Sequence, residues 1–215
     1  GTQANTMTGK LTVLYGYAIL EKSAGVNAVA GPVETKVGAA GAYIVIQNAN
    51  QIPDANAVTL NQSGILRLYA DEALGNLSLA GGFVQSLGGA LVLSGNVAAT
   101  AASSSIFAPV SLGGTTRTFN VSGTASLTIS GAISNGAAAA GFTKSGTGNL
   151  TLSGANTFSG AATANAGKLI LANNNALGTT AGGLNMAGGT LELNGVSIGT
   201  EALTLSVPMT AIGTN

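Results

Sequence analysis

The sequence predicts an all-β fold: a right-handed, single-stranded parallel β-helix, or β-solenoid, with three short strands and about 20–22 residues per coil. Three observations predict it. Aliphatic and polar residues alternate over short runs, turn residues follow the runs, and the runs recur at a nearly constant interval. A β-sandwich is the competing all-β fold, but its core usually needs an aromatic anchor, whereas only 4% of these residues are aromatic and Trp is absent.

The alternating runs mark the strands. Most have two aliphatic residues on either side of one polar or small residue, which is the pattern of a strand with one buried face. Glycine is abundant, with 33 among 215 residues, and Gly, Asn or Ser-Gly closes most runs, as expected at turns. Weaker strand candidates are Asn156–Phe158 and Thr163–Asn165. The clearest runs are 66–68, 77–79, 91–93, 127–129, 150–152, 169–171, 184–186, 191–193 and 203–205.

The coil length comes from the spacing of these strands. Ile44 lies 22 residues before Leu66, and the 61 residues between Leu66 and Leu127 divide into three intervals of about 20. Because a solenoid coil meets only its neighbours above and below, we expect small aliphatic side chains to stack in columns inside it. Four later strands are separated by 23, 19 and 22 residues, and they begin at Leu127, Leu150, Leu169 and Leu191.

The beginning of the chain differs from the rest. It concentrates tyrosines and charges, among them Tyr15, Tyr17 and Lys10, and its repeat is weaker. We therefore divide the chain into two regions. Residues 1–42 form an irregular segment that either caps one end of the solenoid or contacts another subunit, and residues 43–215 form the β-solenoid repeat region.

One segment carries a specific motif. Residues 144–171 read KSGTGNLTLSGANTFSGAATANAGKLIL. This segment closely resembles the autotransporter-associated β-strand repeat, whose pattern is approximately K-x-G-x-G-x-L-x-L-x-G-x-N-T-[YF]-x-G-G-T-T-V-N-A-G-x-L. Ala161, Ala162 and Ala164 depart from that pattern, so we expect a short or loosely packed strand there. The residues that carry the repeat are Lys144, Gly146, Gly148, Leu150, Leu152, Gly154, Asn156, Phe158, Gly160, Thr163, Asn165, Gly167, Leu169 and Leu171.

The resemblance implies a parallel β-helix that is exported to the bacterial cell surface, often as a stalk or passenger. The implied location is extracellular. The implied partners are other copies of the chain or further repeats of the same parent chain, in end-to-end contact, together with polysaccharide of a host surface or matrix. A looser likeness to the repeat extends from about residue 42 to residue 206.

Composition excludes several kinds of chemistry. Without Cys or His, the chain cannot build thiolate or imidazole metal sites, or Ser–His and Cys–His nucleophile pairs. The formal net charge is zero, so we expect no nucleic-acid partner. Every apolar run is far shorter than the 18 or so residues of a membrane span, and we expect neither a span nor a cofactor.

The remaining polar candidates favour structural roles. Glu192 lies between inward leucines and should face solvent, and Asp71 and Glu72 should lie in a solvated loop. Glu192 and Glu201 are the nearest downstream carboxylate pair, of the kind that glycoside cleavage requires. Several asparagines could stack as a ladder of amides at the corners, namely Asn48, Asn156, Asn165, Asn173, Asn174 and Asn175.

The favoured function is therefore a noncatalytic extracellular structural or adhesion module, serving as stalk, display element or matrix component of a bacterial surface protein. The alternative is a subunit that assembles into extracellular filaments by head-to-tail stacking. A polysaccharide-acting β-helix enzyme is the less favoured alternative.

Overall fold

The computed structural model describes residues 1–36, 41–206 and 212–214, and the described part is built from strands without a helix. It therefore contains no helix long and apolar enough to cross a membrane. The strands are β1 (Leu11–Val13), β2 (Gly16–Leu20), β3 (Val33–Thr35), β4 (Ala42–Ile46), β5 (Val58–Asn61), β6 (Ile65–Leu68), β7 (Glu72–Leu74), β8 (Leu77–Ala80), β9 (Phe83–Ser86), β10 (Leu91–Leu93), β11 (Val97–Ala99), β12 (Ser103–Ile106), β13 (Val110–Ser111), β14 (Arg117–Val121), β15 (Ser126–Ile129), β16 (Ile133–Ser134), β17 (Phe142–Ser145), β18 (Asn149–Leu152), β19 (Ala162–Ala164), β20 (Lys168–Leu171), β21 (Leu184–Met186), β22 (Thr190–Asn194), β23 (Leu203–Leu205) and β24 (Ile212–Thr214).

The strands form three parallel sheets that run along one axis. Sheet 1 has ten strands in the order β1-β3-β5-β8-β11-β14-β17-β19-β21-β23, and sheet 2 has ten in the order β2-β4-β6-β9-β12-β15-β18-β20-β22-β24. Sheet 3 is shorter, with the order β16-β13-β10-β7. The chain thus winds as a β-solenoid of about nine turns with about 22 residues per turn, which confirms the predicted fold class.

The register of sheet 2 confirms the predicted period and corrects one alignment. From Leu66, one inward column passes through Val84 and Ile106 to Ile129. Ile129 lies two residues beyond the predicted Leu127. The leucine pattern misses this step because β9 and β12 each carry only one inward aliphatic residue. The four leucines that define the later period are direct neighbours, namely Leu127, Leu150, Leu169 and Leu191.

Alternating side chains fill the interior, as predicted for stacked aliphatic columns. Three phenylalanines interrupt them: the ring centroids of Phe119 and Phe142 lie 5.6 Å apart, and those of Phe142 and Phe158 lie 5.5 Å apart. Strand β19 is short, as expected, and it lies beside these phenylalanine rings. Ala162 pairs with Phe142 and Ala164 pairs with Lys144, so small residues stand next to large ones in the neighbouring coil.

The N-terminal segment continues the same sheets. Strand β1 pairs with β3, and β2 pairs with β4 over five residues. An ion pair joins Lys10 and Glu34, with 2.8 Å between Nζ and Oε1. The role of residues 1–42 as a cap or subunit contact stays a prediction, and the last part of the predicted solenoid region, 207–211 and 215, lies outside the described residues.

Candidate functional site

The repeat motif occupies parts of two coils, from β17 to β20. Its leucines point into the core, where Leu150, Leu152, Leu169 and Leu171 have no exposed surface. Most of the remaining motif residues lie at turns or inward positions, where they meet the backbone of the coil above or below. Thr163, however, points outward on β19, and Asn165 is exposed. The motif is therefore built around contacts between coils.

Lys144 is the unexpected member of the motif, because its side chain points into the solenoid and has no exposed surface. Its Nζ donates to the carbonyl oxygens of Ser145, Gly146 and Ala166, at 3.1, 2.7 and 2.9 Å. Burial lowers the pKa of Lys144 to about 8. The ammonium group thus joins the turn after β17 to the turn before β20 and does not meet solvent.

The motif glycines allow neighbouring coils to approach closely. A Cβ at Gly154 would overlap the carbonyl oxygen of Gly131 in the preceding coil, and a Cβ at Gly146 would overlap that of Val121. Gly146 also has a φ of +75°, which a side chain would strain. The same backbone crowding meets the other motif glycines, Gly148, Gly160 and Gly167.

Replacing Gly154 with Ala should destabilise the fold by about 1–3 kcal/mol, because the added methyl group must displace the backbone of the neighbouring coil. Gly9 is the matched control, since a Cβ there meets no atom within 4 Å and its φ is not in the left-handed region. Urea unfolding followed by circular dichroism measures both variants. Equal midpoints for Gly154→Ala and Gly9→Ala would contradict the steric role of Gly154.

Asn156 binds the two coils on either side of it. Its Oδ1 accepts the Ile133 N–H at 2.8 Å, and its Nδ2 donates to the Ala176 carbonyl oxygen at 2.6 Å. Asn156 lies in the coil after β16, at the position where a further strand would extend sheet 3. The predicted strand at Asn156–Phe158 is wrong, because the Asn156 side chain takes the Ile133 N–H that a strand backbone would have paired. Only single backbone bonds remain there, such as that from the Thr157 N–H to the Ile133 carbonyl oxygen.

The predicted ladder of asparagine amides is also wrong for most of its members. The side chains of Asn48, Asn156 and Asn173 donate to backbone carbonyl groups one coil away. Asn174 accepts a backbone N–H from Ser197. These amides therefore bond to the main chain of the adjacent coil.

Glu72 is buried, which corrects the prediction that it lies in a solvated loop. Its carboxylate accepts the Gln51 N–H at 2.9 Å and the Ile52 N–H at 2.6 Å. Desolvation by burial raises the pKa of Glu72 to about 7, and the nearby charge of Asp54 adds to the rise. Glu72 begins β7, the first strand of sheet 3, so a buried polar side chain stands at each end of this short sheet.

The raised pKa of Glu72 predicts that stability falls as pH rises. The native chain holds a proton on Glu72 between pH 4.5 and about 7 where the unfolded chain has lost it, so this contribution is complete below 4.5. It should fade by about 3 kcal/mol as pH rises from 4.5 to about 7. Urea midpoints measured from pH 4 to 8 test this. Glu72→Gln should flatten that slope, and an unchanged slope in the variant would contradict the assignment.

The predicted carboxylate pair, Glu192 and Glu201, lies in two different environments. Glu192 contacts Lys168, with 2.9 Å between Oε2 and Nζ, and Asp71 accepts the Ala90 N–H at 2.8 Å. Glu201 lines a cavity of about 530 Å³ whose other lining residues are mostly amides, hydroxyls and glycines, with no second carboxylate among them. Among the described residues, no group of three or more His, Cys, Asp or Glu could hold a metal ion.

Aromatic side chains lie on the outer face of sheet 2 in the first coils. The rings of Tyr17 and Tyr43 stack with centroids 4.5 Å apart, and the Arg67 guanidinium lies 4.5 Å from the Tyr43 centroid. Phe83 and Phe107 stack further along the same face. The tyrosines of the N-terminal segment are visible in the sequence, but their alignment is not, because it follows from the register of β2, β4, β6 and β9.

Comparison with known protein families finds that residues 142–171 match the passenger-associated transport repeat. This match confirms the likeness that the motif indicated, and it covers one part of the chain. Comparisons with curated proteins and with solved structures find no match.

Proposed function

We propose that the chain is a noncatalytic extracellular β-solenoid module of a bacterial surface protein, with a stalk, display or adhesion role. The observation that carries this proposal is the use of the matched repeat, whose Lys144, Gly154 and Asn156 all serve contacts between coils. A repeat whose residues mainly hold neighbouring coils together suits a chain that provides length and stiffness. Its relationship to passenger repeats supports a secreted or surface-exposed location.

The geometry suits a short, stiff spacer. About nine turns, stacked at about 4.8 Å per strand, give a rod roughly 40 Å long. Two ten-stranded parallel sheets run along it, so pulling on the rod must break backbone hydrogen bonds in both.

Cell labelling tests the location. An antibody against the chain should label intact, unpermeabilised cells that produce it, and external protease should remove the signal. Labelling that requires permeabilisation would contradict the proposal.

A released-sugar screen tests the absence of catalysis. Purified chain incubated with plant, fungal and bacterial polysaccharides should release no sugar. Release that disappears in Glu192→Gln, Glu201→Gln or Glu72→Gln would favour the polysaccharide-acting enzyme instead.

Filament assembly is the second candidate, and apolar features of the first and last described coils favour it. Leu203 and Leu205 continue the inward column of Leu184 and Met186, yet they are 43% and 55% exposed. The opposite end holds a largely apolar cavity of about 320 Å³, whose lining includes Leu11. A leucine pair at one end and an apolar cavity at the other could join successive copies.

Oligomeric state tests filament assembly. Purified chain should form filaments in electron micrographs as concentration rises, and Leu205→Lys should abolish them. Thr204→Lys changes the outward residue of the same strand and should leave them intact. Dispersed monomers of the unaltered chain at high concentration would reject this candidate.

A further inference from the structure

A neutral groove lies on the outer face of sheet 1. It has a volume of about 430 Å³, and no charged residue lines it. Its lining side chains form two rows along the solenoid axis, one residue per coil in each row. We call it the sheet 1 groove. The first row contains Ala57, Asn76, Asn96 and Thr118, and the second contains Ser78, Ala98, Asn120 and Ser145.

Two asparagines of the first row are held in one orientation. Asn76 Oδ1 accepts the Asn96 N–H, and Asn96 Oδ1 accepts the Thr118 N–H, both at 2.9 Å. Because a backbone N–H can only donate, the amide atom that faces it must be the oxygen. Each Nδ2 therefore points away from that bond, and the described part of the chain provides neither Nδ2 with an acceptor.

These amides place unused donors at a regular spacing. Neighbouring parallel strands lie about 4.8 Å apart, so the two Nδ2 groups recur at about that interval along the groove. The side chains of the second row next to these amides are small, because Ser78 and Ala98 are paired there. A ligand can thus approach the backbone closely and meet amide and hydroxyl groups along its length.

We propose that the sheet 1 groove binds a neutral polysaccharide that lies along the solenoid axis. The groove offers hydrogen-bonding groups without charge, so it suits repeated hydroxyl groups and gives no ion pair to a polyanion. Its five strands, β5, β8, β11, β14 and β17, span about 19 Å, which accommodates a short stretch of a linear glycan. The proposal rests on the adhesion role above, because it names the partner of that role.

The aromatic face of sheet 2 is less suited to this partner. Sugar rings stack on the open faces of aromatic side chains, but one face of the Tyr43 ring lies against Tyr17 and the guanidinium of Arg67 also covers the ring. The side chains of Tyr17, Tyr43 and Arg67 therefore pack against one another. Asn76 and Asn96, in contrast, present amide donors in register on sheet 1, and no aromatic ring lines the groove around them.

Paired substitutions separate the ligand contact from the fold. Asn76→Asp with Asn96→Asp keeps each Oδ1 that accepts a backbone N–H and replaces each Nδ2 donor by a carboxylate oxygen. Thr128→Asp with Thr151→Asp adds the same charge to outward, half-buried positions of sheet 2 and is the matched control. Ala98→Leu fills the second row and leaves both asparagines in place.

Binding is measured by isothermal titration with cellohexaose, chitohexaose, xylohexaose and mannohexaose, after a screen on an array of neutral glycans, with oligogalacturonate as the anionic comparison. We expect at least one neutral glycan to bind the unaltered chain and oligogalacturonate to bind more weakly. The Asn76→Asp, Asn96→Asp pair and Ala98→Leu should each weaken binding by about tenfold or more. The sheet 2 control should bind like the unaltered chain.

Two results would overturn the proposal: no neutral glycan on the array binds at millimolar concentration, or the Asn76→Asp, Asn96→Asp pair binds unchanged while circular dichroism shows a native fold. Tighter binding of oligogalacturonate would overturn its neutral specificity. If one of these binding results is obtained while intact cells are labelled normally, only the proposed glycan binding by the sheet 1 groove is rejected. Failed labelling of intact cells rejects the proposed surface location.

Discussion

Replacing Leu152 with Asp should unfold the coils around β18. Leu152 has no exposed surface and lies between Ile129 and Leu171 in an inward column of sheet 2. A carboxylate there would lose its hydration without gaining a cation, at a cost of several kcal/mol. That cost is a large share of the roughly 5–15 kcal/mol that stabilises a typical domain.

The neighbouring residue supplies the control for this change. Thr151 points outward on the same strand and is partly exposed, so Thr151→Asp should cost less than about 1 kcal/mol. Urea titration followed by circular dichroism, with hydrogen exchange to locate the opened coils, compares the two. Similar losses in both variants would mean that the inward and outward faces of β18 are wrongly assigned.

Phe142→Ala should destabilise the chain by about 3–5 kcal/mol, because it removes the middle ring of the three-phenylalanine cluster. Phe142 has no exposed surface and its ring contacts those of Phe119 and Phe158. Its sheet neighbour Ala162 is too small to fill the space that the ring would leave. Equilibrium unfolding in urea measures the loss.

Phe107 is the matched control, because its side chain is 50% exposed on the outer face of sheet 2. Phe107→Ala should change stability by less than about 1 kcal/mol. If Phe142→Ala were equally mild, the interior cluster would contribute little, and the aliphatic columns alone would hold these coils together.

The regular part of this fold could be predicted because its signal is local. Strand alternation at positions such as Leu150 and Leu152 requires only that one face be buried, and every coil repeats the requirement. Register was harder where that signal weakens: β12 carries three serines, and one of them, Ser104, is buried in an aliphatic column. The alignment from Leu66 was therefore two residues off.

The candidate site was less predictable, since the hydrogen-bond partners of its polar residues become neighbours only once the coils are stacked. Glu72 and Asn156 resemble ordinary turn residues in the sequence, yet each binds backbone groups about 20 residues away. The donors of the sheet 1 groove have the same origin: Asn96 bonds to Thr118 in the next coil. No local pattern identifies such pairs.

The amino-acid sequence alone determined that the chain winds as a solenoid, the average length of a coil, and where most of its strands form, because period-two burial and glycine turns act within a few residues. Only the tertiary structure decided where Lys144 and Glu72 are buried, where sheet 3 stops and which outer side chains align. These features depend on which residues of successive coils become neighbours, and coils of 18 to 26 residues shift that register from one turn to the next.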